Sequence, residues 1–468
     1  MNILYVGHAC FLVEIGGCRV LMDPWIVGSA CYHAWWHVPP VTLTPEQMGP
    51  VDLIMISHIH DDHFHLPTLQ RLPKTATVAL PCALDPWMAR SVREMGFSKV
   101  VELEHGVGVP LRDNLRAENF QFGRLDSAFW LRSGKETLLN LNDCAVPTEW
   151  IRRWRRIHPA PDVTLGAFSY ASAYPLCYEI PGTERKQLAS DSVQRYLEQF
   201  AKNMTALGTR AVIPIATQYG FLAEEQWWMN DFVPTPLQAL AALERRDPGI
   251  QRVLLNPGDQ FSTSEGLRRT GPVFDWTRKA ELIPRLAAQR GGEIREALAG
   301  EPVPAGDWFE EFSAYFTPIL RRNSLIRKRI GAPILFVLEP GRQRWVIDFS
   351  RPAGWVRRSR ETDPPAPIEI RLPQTLLYAA MRGEVHWENL YASNRLTVKV
   401  PRELLAAEWE FWRMLFNFRD GLFQDRIQML TPRGLRILMR RWRDLVPALL
   451  ERLHHPSSRE PLTQERSS

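Results

Sequence analysis

Ser57-His58-Ile59-His60-Asp61-Asp62-His63 follows directly on Val51-Asp52-Leu53-Ile54-Met55-Ile56, and that junction decides how the chain is read. Val51 to Ser57 is apolar on both faces, the pattern of a strand covered on two sides. At its C-terminal end His58, His60, Asp62 and His63 put three imidazoles and a carboxylate within six residues. Core packing gives no reason for such a set, and with twelve histidines in 468 residues chance is a poor one. Metal binding gives a direct reason. Imidazole is the commonest nitrogen ligand and carboxylate suits harder ions, so the mixture can hold Zn, Fe or Mn. A loop at a strand end is also where a rigid scaffold holds chemistry. Asp61 and His65 fall outside the spacing.

Upstream, Phe11 to Ile15 and Arg19 to Asp23 flank Gly16-Gly17, which predicts a β-hairpin with the glycines in the turn. Downstream, strands are expected at 137–142, 163–168, 210–214 and 252–256, with a helix over 184–207. Strands interleaved with helices indicate a layered α/β fold. Near residue 262 the pattern breaks into a Gly-, Arg- and Pro-punctuated stretch. The expected organisation is a catalytic domain over 1–262, a helical connecting segment over 263–330, a second α/β unit over 331–455 and a disordered tail over 456–468. In that second unit strands are expected at 334–338 and 345–349, then a helix over 373–381.

Hydrophobic residues make up 45% and charged residues 23%, a globular composition. No run approaches the roughly 18 to 20 apolar residues of a membrane span. The start reads as a first strand rather than a signal peptide, so the expected location is cytoplasmic. Six scattered cysteines predict free thiols. Cys31-Tyr32-His33 matches half of a Rieske iron–sulfur pattern, but no second Cys-x-x-His half follows. The net charge is +5, with Arg433, Arg436, Arg440, Arg441 and Arg443 near the C-terminus. A solvated helix face is the plainest account of them. An anionic surface is the alternative, and no nucleic-acid partner is expected.

His58-x-His60-x-Asp62-His63 resembles the signature of the metallo-β-lactamase superfamily, whose fold is an αββα sandwich. The resemblance implies that the first two histidines serve one metal and the Asp/His pair a second. Gly7-His8-Ala9-Cys10-Phe11 leading to Asp23-Pro24 is similar to the branch containing ascorbate-6-phosphate lactonase and N-acyl-phosphatidylethanolamine phospholipase D, where the Asp-Pro supports the metal loop. Leu138-Leu139-Asn140-Leu141-Asn142-Asp143 has the form of the strand end that carries the bridging carboxylate, so Asp143 is the expected bridge; an Asp capping a turn is the plain alternative.

More closely, the chain resembles the CMP-N-acetylneuraminate hydroxylase family, through Asp23-Pro24-Trp25 with Trp35-Trp36, the His cluster with Leu66-Pro67-Thr68-Leu69, Ala171-Ser172-Ala173-Tyr174-Pro175, Glu184-Arg185-Lys186, and Trp387-Glu388-Asn389-Leu390-Tyr391. Two departures stand out. The family's Rieske domain is absent. No histidine stands near Phe122, where the family has one before the bridging strand, which leaves Asp126 as the substitute ligand; nor is a last histidine visible in Ile213 to Tyr219. The segment Leu372 to Val400 resembles a sterol-carrier-like unit, and dimerisation or lid packing accounts for its aromatic face more readily than a ligand groove.

The resemblance therefore implies two divalent metal ions, iron favoured with zinc or manganese open, held by His58, His60, Asp62, His63, Asp143 and Asp126, with Asp62 and Asp143 catalytic. His8, Asp23, Tyr174, Gln218 and Tyr219 are expected to contact substrate or support the ligands, and Arg185 and Lys186 would suit a phosphate. The leading expectation is a dinuclear iron oxygenase that hydroxylates an N-acyl or similar C–H position of a small molecule, a sugar nucleotide or other N-acylated metabolite, with electrons from a separate Rieske or ferredoxin partner. The alternatives are a zinc-type hydrolase of a phosphodiester or lactone, and a metal-binding scaffold with impaired catalysis.

Overall fold

The computed structural model describes residues 1–122, 126–169, 172–341, 343–351, 353–419, 422–423 and 430–442. The chain divides into two compact units: Met1–Tyr170 with Asp191–Gly291 and Pro432–Arg441, and Ala171–Ser190 with Gly292–Thr431 and Trp442–Ser468. The units interleave in sequence, whereas the expected boundary near residue 262 is a single cut along the chain.

Two sheets build the first unit. The eight-stranded one runs in spatial order Gly266–Arg268, Gln260–Ser262, Asn2–Gly7, Cys10–Ile15, Cys18–Met22, Leu53–Met55, Thr77–Pro81, Val100–Leu103. The seven-stranded one runs Gln251–Arg252, Ala211–Ile215, Val163–Ala167, Glu136–Asn140, Ser127–Ser133, Leu115–Gln121, Val109–Arg112. Alternation along each strand sorts the side chains into layers. Tyr5, Phe11, Val13, Val20 and Met55 meet Phe129, Leu131, Leu138, Leu165 and Ile213 between the sheets. On the outer face of the first sheet, Leu12, Leu21, Ile54 and Ile56 pack with Leu69 and Val92 of the helices Leu66–Arg71 and Trp87–Glu94. On the other outer face, Trp130 and Leu139 pack with Trp154, Phe200 and Leu243. This is the αββα sandwich, each fully buried side chain contributing about 1.5–3 kcal/mol.

Gly16 and Gly17 take φ of +61° and +76° and close the expected hairpin between Cys10–Ile15 and Cys18–Met22. Leu53–Met55 lies parallel to Cys18–Met22, with Met22 opposite Met55. Glu136–Asn140, Val163–Ala167 and Ala211–Ile215 are also parallel to one another. Parallel pairing brings the strands' C-terminal ends to one edge of each sheet, which is how Asp23 and Ser57 become neighbours. Only Gln251–Arg252 pairs where a strand over 252–256 was expected. There Pro257 lacks an N–H, and Asn256 turns the chain by donating its backbone N–H to Asp259 Oδ2 at 2.9 Å.

The second unit holds a mixed sheet ordered Tyr178–Glu179, Thr397–Lys399, Ile368–Pro373, Pro333–Glu339, Gln343–Asp348, Val356–Arg358. The helices Phe309–Arg322, Gln374–Met381 and Leu405–Phe416 belong to the same unit, and Phe312, Phe316, Phe336 and Trp345 pack ring on ring. Inside it Tyr178 donates to Glu408 Oε1 at 2.8 Å, and its oxygen lies 2.8 Å from that of Tyr391.

Among the described residues no helix is long and apolar enough to cross a membrane. The arginines of residues 432–441 are less free than a solvated face: Arg433 pairs with Glu102, and Arg436 and Arg440 with Glu104. Arg443 and the expected disordered tail lie outside the described residues.

Candidate metal centre

Ser57 ends the strand run, and its backbone N–H donates to Asp23 Oδ1 at 2.7 Å. The chain then turns tightly, with the N–H groups of His63 and Phe64 both donating to His60 O, at 2.9 and 2.7 Å. This turn places His58, His60, Asp62 and His63 on one side of the loop. His65 lies past the turn; its Nδ1 accepts from Thr68 N and so caps the following helix.

Each ligand candidate is oriented by a neighbour. Ser57 Oγ lies 2.9 Å from His58 Nδ1, which leaves Nε2 facing His60 Nδ1, also at 2.9 Å. His63 Nδ1 faces Asp23 Oδ2 at 3.2 Å, while its Nε2 faces Asp62 Oδ2 at 3.2 Å and Asp143 Oδ2 at 3.3 Å. A carboxylate behind an imidazole fixes its tautomer and raises its basicity, and Asp23 stands in that position behind His63. Asp143 arrives on a strained turn. Asn142 stands at φ +48°, held by its own N–H on Asn140 Oδ1 and its Nδ2 on Ser127 O.

Three overlapping groups result, each with donor atoms within 4.8 Å of one another: His58, His60 and Asp126; His58, His63 and Asp143; His8, Asp62 and His63. Atoms bound about 2.0–2.2 Å from one ion stand roughly 3.0–3.5 Å apart, and the His63 to Asp62 and Asp143 separations fall in that interval. The electrostatics also call for cations. Burial works to discharge His63, yet Asp143, Asp62 and Asp23 outweigh it and hold its imidazole well above the usual range. Burial would raise Asp62, but His63, followed by His8, holds its carboxyl well below the usual range. His58 is kept well below its ordinary value by burial and then by His63 and His60, so its lone pair is available. Asp143 Oδ1 is buried with no hydrogen-bond partner among the described residues. Carboxylates this close together favour positive charge among them, and divalent metal ions match the donor set.

Around His8 the wall is aromatic. Trp25 lies edge-on at 5.2 Å, Tyr219 at 5.9 Å and Trp35 at 6.3 Å, with Trp35 and Tyr219 stacked at 3.8 Å. Trp35 and Tyr219 come from two three-residue strands, Trp35–His37 and Tyr219–Phe221, that pair antiparallel with each other. Burial, then Cys31, Asp62 and Asp143, push the Tyr219 hydroxyl upward. Gln218 is turned to its own loop, its Nε2 donating to Pro214 O and its Oε1 accepting from Thr217 N. Tyr174 belongs to the second unit, edge-on to Tyr178 at 5.1 Å, as do Arg185 and Lys186. Cys31, Tyr32 and His33 form three successive left-handed residues, and among the described residues neither Cys31 nor His33 joins a ligand group.

Ser57, Trp25 and Trp35 also border the cluster, and their own segments assign them no task. Adjacency to the cluster was the one available signal for Ser57, whereas the ring wall depends on pairing between distant strands.

Residues 2–139 match the beta-lactamase superfamily domain. A Rieske 2Fe-2S iron-sulfur protein, so named provisionally, of Mycolicibacterium smegmatis is 29% identical over 91% of this chain and 86% of its own length. The inactive cytidine monophosphate-N-acetylneuraminic acid hydroxylase of Homo sapiens is 42% identical over 74 residues, 15% of each chain. Among solved structures, the diiron β-hydroxylase CmlA of Streptomyces venezuelae is 21% identical, covering 55% of this chain and 53% of that one at a TM-score of 0.39. Residues 2–139, which include the strand end that carries His58, His60, Asp62 and His63, thus match the beta-lactamase superfamily domain.

Proposed function

We propose that the chain is a dinuclear metal enzyme: His58, His60 and Asp126 hold one ion, Asp62 and His63 the other, and Asp143 stands between them. The observation that carries this reading is the convergence of these donors into overlapping groups around the buried His58, Asp62 and His63. Of the chemistries open to such a site, we favour hydroxylation of a C–H bond on an N-acylated small molecule, sugar nucleotides among them, with electrons from a separate Rieske or ferredoxin protein. The similarity to cytidine monophosphate-N-acetylneuraminic acid hydroxylases and to a Rieske-named protein supports that choice.

A bound iron pair would supply dioxygen activation, chemistry that side chains lack. The protein's own part is positional. Asp23 and Ser57 hold His63 and His58 in orientation, so little rearrangement accompanies metal uptake. Trp25, Trp35 and Tyr219 exclude water from the His8 side, which strengthens every charge interaction within.

The test is metal analysis of the purified chain followed by oxygen uptake with a reduced ferredoxin and candidate N-acyl substrates. Bound iron with product formation that stops under anaerobic conditions is expected. A zinc-loaded protein that cleaves a generic phosphodiester without oxygen would establish the hydrolase instead, and metal binding without either activity would establish a scaffold.

A further inference from the structure

The two metal positions are unequally provided for. His58, His60 and Asp126 give one ion three donors besides the shared Asp143, whereas in the same reading Asp62 and His63, among the described residues, give the other two. The loop after Ala211–Ile215 makes no contribution, because the Gln218 side chain is tied to Pro214 O and to the N–H of Thr217. We propose that His8, at the turn between Asn2–Gly7 and Cys10–Ile15, is the missing donor: its Nε2 ligates the ion held by Asp62 and His63. The proposal rests on the dinuclear reading above.

His8 Nε2 lies 2.9 Å from Asp62 Oδ2, and that same oxygen lies 3.2 Å from His63 Nε2. The three side chains form one ligand-competent group and are 0%, 2% and 0% exposed. The backbone is arranged for this placement. His8 stands at φ +52°, a left-handed conformation that costs a non-glycine residue of order 1 kcal/mol or more and persists where surroundings enforce it. Here they do: the pairing of the two flanking strands shifts register between Tyr5 and Gly7, and Ala216, itself at φ +59°, donates its N–H to His8 O at 3.3 Å. The Trp25, Trp35 and Tyr219 rings then set the plane of the imidazole. A histidine that only oriented Asp62 would donate an Nε2 proton across the same 2.9 Å. The two roles differ in whether a nitrogen leaves the metal when the ring is removed.

The experiment reconstitutes the full chain, stripped with chelator, with Co2+ under anaerobic conditions. It reads metal per chain, the visible ligand-field spectrum, and the number of hyperfine-shifted exchangeable imidazole N–H resonances. The native protein is expected to take two Co2+ and to show four such resonances, from His8, His58, His60 and His63. His8→Ala and His8→Gln should each lose one resonance and bind the second ion at least about tenfold more weakly. His8→Gln discriminates, since its amide can still donate to Asp62 but supplies no imidazole nitrogen. Two Co2+ with native affinity and spectrum in His8→Gln would overturn the assignment, as would three resonances in the native protein, a readout that needs no variant to fold. If the native chain binds no cobalt, the dinuclear reading itself fails.

Discussion

Asn142 does for Asp143 what no apolar residue could. Asparagine tolerates the left-handed region better than other non-glycine residues, and its side chain ties the turn to Ser127 O at 2.9 Å. Asn142→Ala should cost about 2–3 kcal/mol in denaturant unfolding, from a strained alanine and an unpaired buried carbonyl. It should also weaken metal uptake by roughly tenfold through a displaced Asp143. Native values for both would refute the role given to this turn. Ser57→Ala, which strips the hydrogen bond from the buried His58 Nδ1, should cost about 1–3 kcal/mol in unfolding and lower metal affinity about 10- to 100-fold by competition with a chelator. In the second unit, burial raises Glu408 to about 8, although hydrogen bonds from Tyr178 and Trp412 pull the other way. The folded chain therefore keeps a proton that the unfolded chain releases near the ordinary carboxylate value. Stability from this residue is full below that value and is lost as pH rises through about 8, a fall of a few kcal/mol. Glu408→Gln should flatten the stability profile of the full chain between those limits; an unchanged slope would count against a protonated Glu408. At this scale the candidate donors His58, His60, Asp62 and His63 are legible because their spacing is local, and Asp143 because it follows a strand end. The His8 to Asp62 contact joins residues 54 apart, and nothing in either segment alone encodes it.

Elements with strong periodicity or a clear turn were readable too: the Gly16-Gly17 hairpin, the cluster strand and the long helix Arg185–Leu207. The ribbon of Trp35–His37 and Tyr219–Phe221 was not, since three residues carry no period and its partner is remote. The helix over 432–442 shows a further limit. Its arginines read as solvated because a sequence cannot say that Glu102 and Glu104, at and just beyond the strand Val100–Leu103, lie opposite. Most of these pairs are exposed, so each contributes about 0–1 kcal/mol and is screened by salt. Glu102→Ala with Glu104→Ala should speed tryptic cleavage within 432–441 several-fold while moving the global unfolding midpoint little, and high salt should do the same to the native chain. Unaltered cleavage in both would show that the helix is held by something else.

At the scale of the whole molecule, the interleaving of the two units has consequences for dissection. Trp276, Ile283 and Leu286 are buried within the first unit, where the Trp276 indole donates to Asn256 Oδ1 at 3.0 Å and Lys279 Nζ to Val233 O at 3.1 Å. A fragment ending at residue 262 should therefore bind a hydrophobic dye and aggregate, whereas one extended to residue 291 should do so less; equal behaviour would show these contacts to be dispensable. The layered α/β class followed from strands interleaved with helices and its αββα form from the resemblance carried by the His/Asp motif, but chain order alone could not reveal that residues 171–190 join the later unit.

The metal centre remains the claim on which the rest depends, and anomalous diffraction at the metal edge from crystals of the metal-reconstituted chain tests it most directly. Two peaks are predicted, one bounded by His58, His60 and Asp126 and the other by Asp62 and His63, with Asp143 between them. A cluster without a peak, or metal bound elsewhere in the chain, would contradict it.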